Sequence, residues 1–328
     1  MRLTNNMIMR KYMANLNTSL TTLNNLNEQA SSGMKFSKMS EDPATALKAF
    51  QVRRNLSQIT LYKSNVLDIQ NSLSDIEFSI SNLNNTLSDI NAQILQGRTG
   101  TYNASDKIVI ANTLKDMQQQ ILEISNSKFS GKFIFGGPNV KQPPFTLVTD
   151  PTDIDGSKLL YNGVDVDTGI FTNEPIYVDI GLGLSTDTAG NIIPQSAFNK
   201  SHPGSELLGT GVDADGISNN LYNVVGEIAK MFQTNDLTNI DKYINKFSKN
   251  VEEVMVQYAN VGEKSKSLEY LSNRLDTDEN NALHKQNDLE AVDLAKSILD
   301  FKNQELSYNA ALQMGAKILQ LSLVDYLR

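Results

Sequence analysis

The residues able to do chemistry are few and scattered. The chain has two histidines, His202 in "SHPG" and His284 in "ALHKQ", far apart and with no ligand spacing around either. Both read as surface histidines. There is no cysteine, so neither a thiolate nor a disulfide is available. "DTDENNALHKQN", 276 to 287, begins like a calcium loop. Asn281, however, stands where its sharp turn needs glycine, and Asn287 where a bidentate glutamate is needed. "GLGLSTDTAG" lacks the third glycine of a phosphate cradle, and no G-x-S-x-G elbow occurs. The expectation is a protein with no catalytic residue, no metal and no cofactor, and so not an enzyme.

Composition points the same way. The 328 residues carry a net charge of −8 and no basic run, which argues against nucleic acid as a partner. No stretch of 18 or more apolar residues is present, so no membrane span is expected. The start, "MRLTNNMIMRKYMANL", lacks the unbroken apolar core of a cleavable signal peptide. A soluble protein, or one exported by a route that reads no cleaved signal, is expected.

With chemistry set aside, heptad spacing dominates. Ala49, Val52, Leu56, Ile59, Tyr62, Val66, Ile69, Leu73, Ile76, Ile80, Leu83, Leu87, Ile90 and Ile94 recur at alternating steps of three and four, the seam of a bundle or coiled coil. Ser40 and Asp42 can cap such a helix, Pro43 suits its first turn, and Gly97 and Gly100 mark its stop. From 44 to 96 it would be a rod roughly 80 Å long. A second stripe, Ile110 to Ile124, follows after a short polar link and should fold back antiparallel. From Phe129 to about Thr210 the period changes, and "KLLYNG", "GIFTN" and "PIYVDIG" read as strands and turns. Helical spacing resumes at Leu221 and runs to Leu275, and the polar "DTDENN", 276 to 281, reads as a break before the last helix. The fold class expected is mainly α: an elongated helical bundle or coiled coil built from both ends of the chain, with a small inserted β domain. Its segments are an N-terminal helix at 1–39, bundle at 40–128, β insert at 129–210, bundle at 211–281 and a C-terminal helix at 282–328.

Both ends carry stripes. Met9, Met13, Leu16, Leu20, Leu23, Asn27, Ala30 and Met34 keep the three-four alternation, with Asn27 at a seam position where a buried amide would fix register, the alternative being that it merely reflects an Asn-rich chain. At the other end Ile298, Phe301 and Tyr308 lead to Leu312, Ala316, Leu319, Leu323 and Tyr326. That last segment is apolar nearly all round and needs neighbours to bury it. Between the insert and the bundle, "SGKFIFGGPNVKQPPF" combines apolar Phe133 and Phe135 with Gly136 and Gly137, which are free to turn sharply. It reads as a corner where the chain leaves the bundle, with an ordinary hairpin as the alternative.

"LNEQASSGMKFSKMSEDPATALKAFQVRRNLSQI", 26 to 59, resembles the N-terminal signature of bacterial flagellins and hook-associated proteins. "ELSYNAALQMGAKILQLSLVDYLR" resembles their C-terminal helix, and "FSGKFIFGGPNVKQPPF" is similar to a segment of the members at the hook–filament junction. Residues 146 to 210 match no motif of the family. The resemblance implies terminal helices in an inner tube, a bundle around it and a β domain outside. It also implies a homo-oligomeric ring or helical layer, with a hook-associated neighbour on the hook side and flagellin on the filament side. Export through the flagellar type III channel with a chaperone, and an extracellular location, follow from it. On this reading Met13, Leu16, Leu20, Leu23, Asn27, Leu312, Ala316, Leu319, Leu323 and Tyr326 are assembly residues, and Phe133, Phe135, Gly136 and Gly137 form the corner. Flagellin itself and a secreted coiled-coil protein of an injection system are the alternatives.

Overall fold

A computed structural model describes residues 5–99, 102–149, 157–172 and 174–326, with side chains from Met7 to Ala316 in those ranges. The fold is mainly helical, with small antiparallel sheets between the third and fourth helices. Two compact units divide the chain: residues 1–60 with 276–328, and residues 61–275.

The first unit contains α1 (Asn5–Ser32), the start of α2 (Pro43–Arg98), the end of α6 (Ile240–Glu290) and α7 (Leu294–Tyr326). Asp42 opens α2, its carboxylate accepting from the Thr45 N–H at 3.0 Å, and Pro43 needs no partner in the first turn. The seam of α2 lies where spacing places it: from Ala49 to Ile94 every stripe residue is buried except Leu56 and Tyr62, which are half-buried. Gly97 is no stop. It lies inside the helix, and a Cβ there would come within 2.7 Å of the Phe232 ring. Gly100 falls outside the described residues.

In the second unit, α3 (Ala104–Ser125) starts at a capping box made by Asn103 and Asp106. The Ser79 and Ser127 hydroxyls are 3.3 Å apart, so α3 runs back along α2 as the short link predicts. α5 (Leu221–Thr234) packs on α3, with Gln118 Nε2 donating to the Tyr222 carbonyl at 3.0 Å. It stops at Asn235, which is left-handed at φ 56, a break that the continuous stripe concealed. Conversely, no break occurs at 276–281: α6 runs through that stretch to Glu290, with Leu275 and Ala282 keeping the buried stripe on either side of its polar residues.

The insert is built on tight turns. β1 (Lys128–Phe129) and β2 (Lys132–Phe133) join through Ser130 and Gly131 at φ 48 and 78. β4 (Ser157–Tyr161) joins β5 (Val164–Asp165) through Asn162 and Gly163 at φ 51 and 83. Two successive left-handed residues make the hairpin turn that matches strand twist. β3 (Phe145–Thr149) pairs with β4, and β6 (Tyr177–Val178) with β7 (Phe198–Asn199). "GIFTN" forms no strand over its described residues, 169–172. Two further turns, at 187–191 and 213–217, are near copies. In each, one aspartate oxygen accepts the N–H groups two and four residues on, from Ala189 and Asn191 and from Asp215 and Ile217.

His202 is not the surface residue its sequence suggests. It is largely covered in the short link before α4 (Gly204–Leu208), where Nδ1 donates to the Lys200 carbonyl at 3.1 Å and Nε2 accepts from the Lys264 ammonium at 3.3 Å. Burial, and secondarily the Lys264 charge, push its pKa down to about 4, against a weaker opposing pull from the Lys200 carbonyl. The fold therefore favours neutral His202, while the unfolded chain protonates it from about 6.5. Its contribution is full above pH 6.5 and is lost as pH falls toward 4. At about 1.4 kcal/mol per unit, moving from pH 7 to 5 should cost about 2 kcal/mol. Denaturant melts at both pH values check this: His202→Asn should flatten the difference, and an equal fall in the variant would assign it elsewhere. His284 is exposed on α6.

Candidate functional site

The two chain ends meet as an antiparallel helix pair. The Tyr12 hydroxyl donates to the Ala311 carbonyl at 3.0 Å, and Gln304 Nε2 donates to the Ser19 hydroxyl at 2.8 Å. Tyr12 fits because position 315 is glycine: a Cβ there would lie 2.1 Å from the Tyr12 oxygen. The seam residues of α1 are Met9, Tyr12, Leu16, Ser19, Leu23, Leu26 and Ala30, all half-buried. Facing them, α7 contributes Ser297, Phe301, Gln304, Tyr308, Ala311 and Gly315.

This seam shares every second position with the stripe read from apolar spacing and departs from it between. Leu16 and Leu23 lie in the pair. Met13 and Leu20 are 48% and 38% exposed, and Leu312 on α7 is 42% exposed. Asn27 and Ala316 are exposed too, so Asn27 fixes no register within the chain. The side chains of Leu319, Leu323 and Tyr326 lie outside those described. Within the pair, small and hydrogen-bonding residues such as Ser19, Gln304 and Gly315 alternate with Leu16, Leu23 and Phe301, while Met13, Leu20 and Leu312 are left on its outside. Sequence reasoning, which weights apolar size, could not separate these two stripes.

A clasp joins the turns beyond the pair, and spacing gave no sign of it. Gly33, left-handed at φ 70, ends α1. The next residues form a short ladder with the α6–α7 turn: Lys35 N–H donates to the Glu290 carbonyl at 2.7 Å and Val292 N–H to the Gly33 carbonyl at 2.9 Å. Gln29 Nε2 donates to the Lys35 carbonyl at 2.7 Å. The Glu290 carboxylate, only 8% exposed, receives Arg53 Nε at 2.7 Å and Gln286 Nε2 at 3.0 Å. Burial pushes its pKa up, but these hydrogen bonds and the Arg53 charge more than reverse that and leave it below the usual range. Arg53→Ala leaves that carboxylate with Gln286 and no charged partner, and because Arg53 is half-exposed the cost should be about 1 to 2 kcal/mol. Adding Glu290→Gln should recover part of it, so a double-mutant cycle on chemical melts that shows simple additivity would remove the pairing.

At the corner, Phe133 and Phe135 are 7% and 1% exposed, and the Phe135 carbonyl accepts from the Tyr161 hydroxyl at 3.0 Å and the Gly204 N–H at 2.8 Å. Only Lys132–Phe133 of "KFIFGG" is strand. The chain then turns at Gly136 and at Gly137, which is left-handed at φ 61. So a hairpin turn at Ser130–Gly131 and a separate turn at Gly136–Gly137 are both present.

Residues 3–140, from α1 to just past this corner, match the bacterial flagellin N-terminal helical region. A protein of Vibrio parahaemolyticus described as flagellar hook-associated superposes on 76% of this chain and 100% of its own, at 17% identity and TM-score 0.61. The fold is that of the flagellar hook-associated proteins. FlgL of Bacillus cereus covers 72% of this chain and 99% of its own at 16% identity and TM-score 0.53. Flagellar hook-associated protein-3 of Legionella pneumophila covers 73% and 98% at 14% identity and TM-score 0.52. No curated protein matches the sequence. Within the hook-associated fold, the terminal pair and its clasp are where the chain's two ends are brought together. Among the described residues no cluster of acids and histidines suited to a metal is present, and no helix is long and apolar enough to cross a membrane.

Proposed function

We propose that this protein is a structural subunit of the bacterial flagellum and forms the junction between hook and filament. It works by assembly, with no chemical step. The observation that carries this reading is the terminal helix pair, whose seam residues meet within the chain while Met13, Leu20, Leu306, Leu312 and Met314 remain 38 to 69% exposed outside it. Apolar stripes on a helix pair need further helices, and copies of the same chain supply them. By their sequence spacing alone, Leu319, Leu323 and Tyr326 would join them in assembly. A hook-associated neighbour would meet one face of the layer and flagellin the other. Passage through the flagellar export channel, escorted by a chaperone, would place it outside the cell.

Electron microscopy of cells lacking the protein tests this. Hooks without filaments, with flagellin lost to the medium, are expected. Normal filaments overturn the reading. Bare hooks with no flagellin anywhere would instead favour the filament subunit itself, a reading that the flagellin match over 3–140 keeps in play.

A further inference from the structure

Ile170 is 92% exposed, the barest of the large apolar residues described, and the loop carrying it is not slack. The Gly169 N–H donates to the Asp165 carbonyl at 2.9 Å, and Asp165 pairs with Lys158 at 3.0 Å. The Asp167 carboxylate accepts from Asn223 at 2.8 Å, and Phe171 packs edge-on against Tyr161 with ring centres 5.6 Å apart. A pinned loop therefore holds a bare isoleucine out into water, with the exposed Glu174 four residues on. Presented rigidly, such a side chain loses little freedom when it docks.

A groove of about 400 Å³ in the same unit has the opposite character. Ile69, Ile76 and Phe133 form its buried floor, and Ile134 and Val140 are half-buried on its walls. Lys132 and Lys200 line it, both exposed and without an ion pair among the described residues, against a single acid, Asp68. Lys128 adds a third ammonium, 4.5 Å from the Phe133 ring centre. In a chain of net charge −8, this is an apolar trough with a basic rim.

We propose that Ile170 of one copy seats in this groove on the next copy, with its acidic flank against the lysines. The proposal rests on the reading that copies of the chain lie side by side. Apolar finger and acidic flank complement apolar floor and basic rim. Donor and acceptor are different surfaces: residues beside Ile170 line a cavity against α6, whereas the groove is walled by α2. A contact between unlike surfaces is head-to-tail, and it propagates into a ring or a helical layer instead of closing on a dimer. The β insert would thereby hold neighbours in register independently of the terminal helices.

The absence of native cysteine makes a direct test available. Full-length Ile170→Cys and Val140→Cys proteins are mixed at high concentration under mild oxidation, and the double variant is also oxidised in flagella on cells. A disulfide needs Cβ atoms within about 4.5 Å, so only true neighbours couple. The expected result is a mixed Ile170→Cys–Val140→Cys dimer and a ladder of oligomers from the double variant. Lys132→Glu with Lys200→Glu should lower the yield about tenfold, and Glu174→Lys should restore part of it. Leu182→Cys, at a site also exposed (45%), serves as control. Equal coupling of Ile170→Cys and Leu182→Cys to Val140→Cys, or no mixed disulfide in either preparation, overturns the contact. Flagella that assemble and turn normally without the cross-link would sink this contact while leaving the junction reading intact.

Discussion

Ile80→Asp should lower the melting temperature of the full chain by about 10 to 20 °C. Ile80 is 2% exposed on the α2 stripe, between Ile76 and Leu83, which are as deeply covered. Losing its burial costs roughly 1.5 to 3 kcal/mol, and an unpaired carboxylate there adds several more unless it stays protonated. A total of about 5 kcal/mol, spread over a unit spanning residues 61–275, corresponds to roughly 2 to 4 °C per kcal/mol. Ile76→Asp should behave alike. Asn85→Asp, on the exposed face of the same turns, should shift melting by no more than a degree or two. Equal loss at Ile80 and Asn85 would mean that the seam is elsewhere.

The ease of reading α2 and the difficulty of the ends have one cause. Along α2 the interior is made of large apolar residues, so period and burial coincide, and the stripe from Ala49 to Ile94 is the buried face. In the terminal pair apolar seam residues such as Leu16, Leu23 and Phe301 alternate with Ser19, Ser297, Gln304 and Gly315, which carry no apolar signal. Position 315 had to be read together with Tyr12, some three hundred residues away, before its glycine made sense. The clasp is hidden for the same reason: Lys35 and Glu290 meet through backbone groups, and backbone pairing leaves no mark on residue type. Breaks misled in both directions. Charge at 276–281 resembles a loop but belongs to a continuous helix, whereas the true stop at Asn235 sits in a stretch whose apolar phase is unbroken on either side. The turn at 136–139 did leave a sequence signal, a glycine pair between Phe135 and Pro138.

At that corner the two glycines should differ sharply when substituted. Gly136 has an ordinary φ, yet a Cβ there would lie 2.0 Å from the Asn139 carbonyl oxygen, and backbone cannot swing aside as a side chain does. Gly136→Ala must therefore open the 136–139 turn, in which the Asn139 N–H donates to the Gly136 carbonyl at 3.2 Å. The displacement passes to Phe135, whose carbonyl anchors both Tyr161 and Gly204, and on to the Phe145–Tyr161 contact at 5.0 Å. A loss of about 4 kcal/mol or more is expected, at the upper end of what overpacking costs. A Cβ on Gly137 would meet only the Tyr161 hydroxyl, at an ordinary 3.8 Å, but the residue has φ 61, so Gly137→Ala should cost only about 1 to 2 kcal/mol of left-handed strain, and Gly137→Asn less. Hydrogen exchange locates the damage. In Gly136→Ala the amides of 133–145 and 159–166 should lose protection, while those of Val66 to Ile90 in α2 keep theirs. A Gly136→Ala protein as well protected as the parent, or one in which α2 opens together with the insert, would show that the corner does not hold the β insert in the way its hydrogen bonds imply.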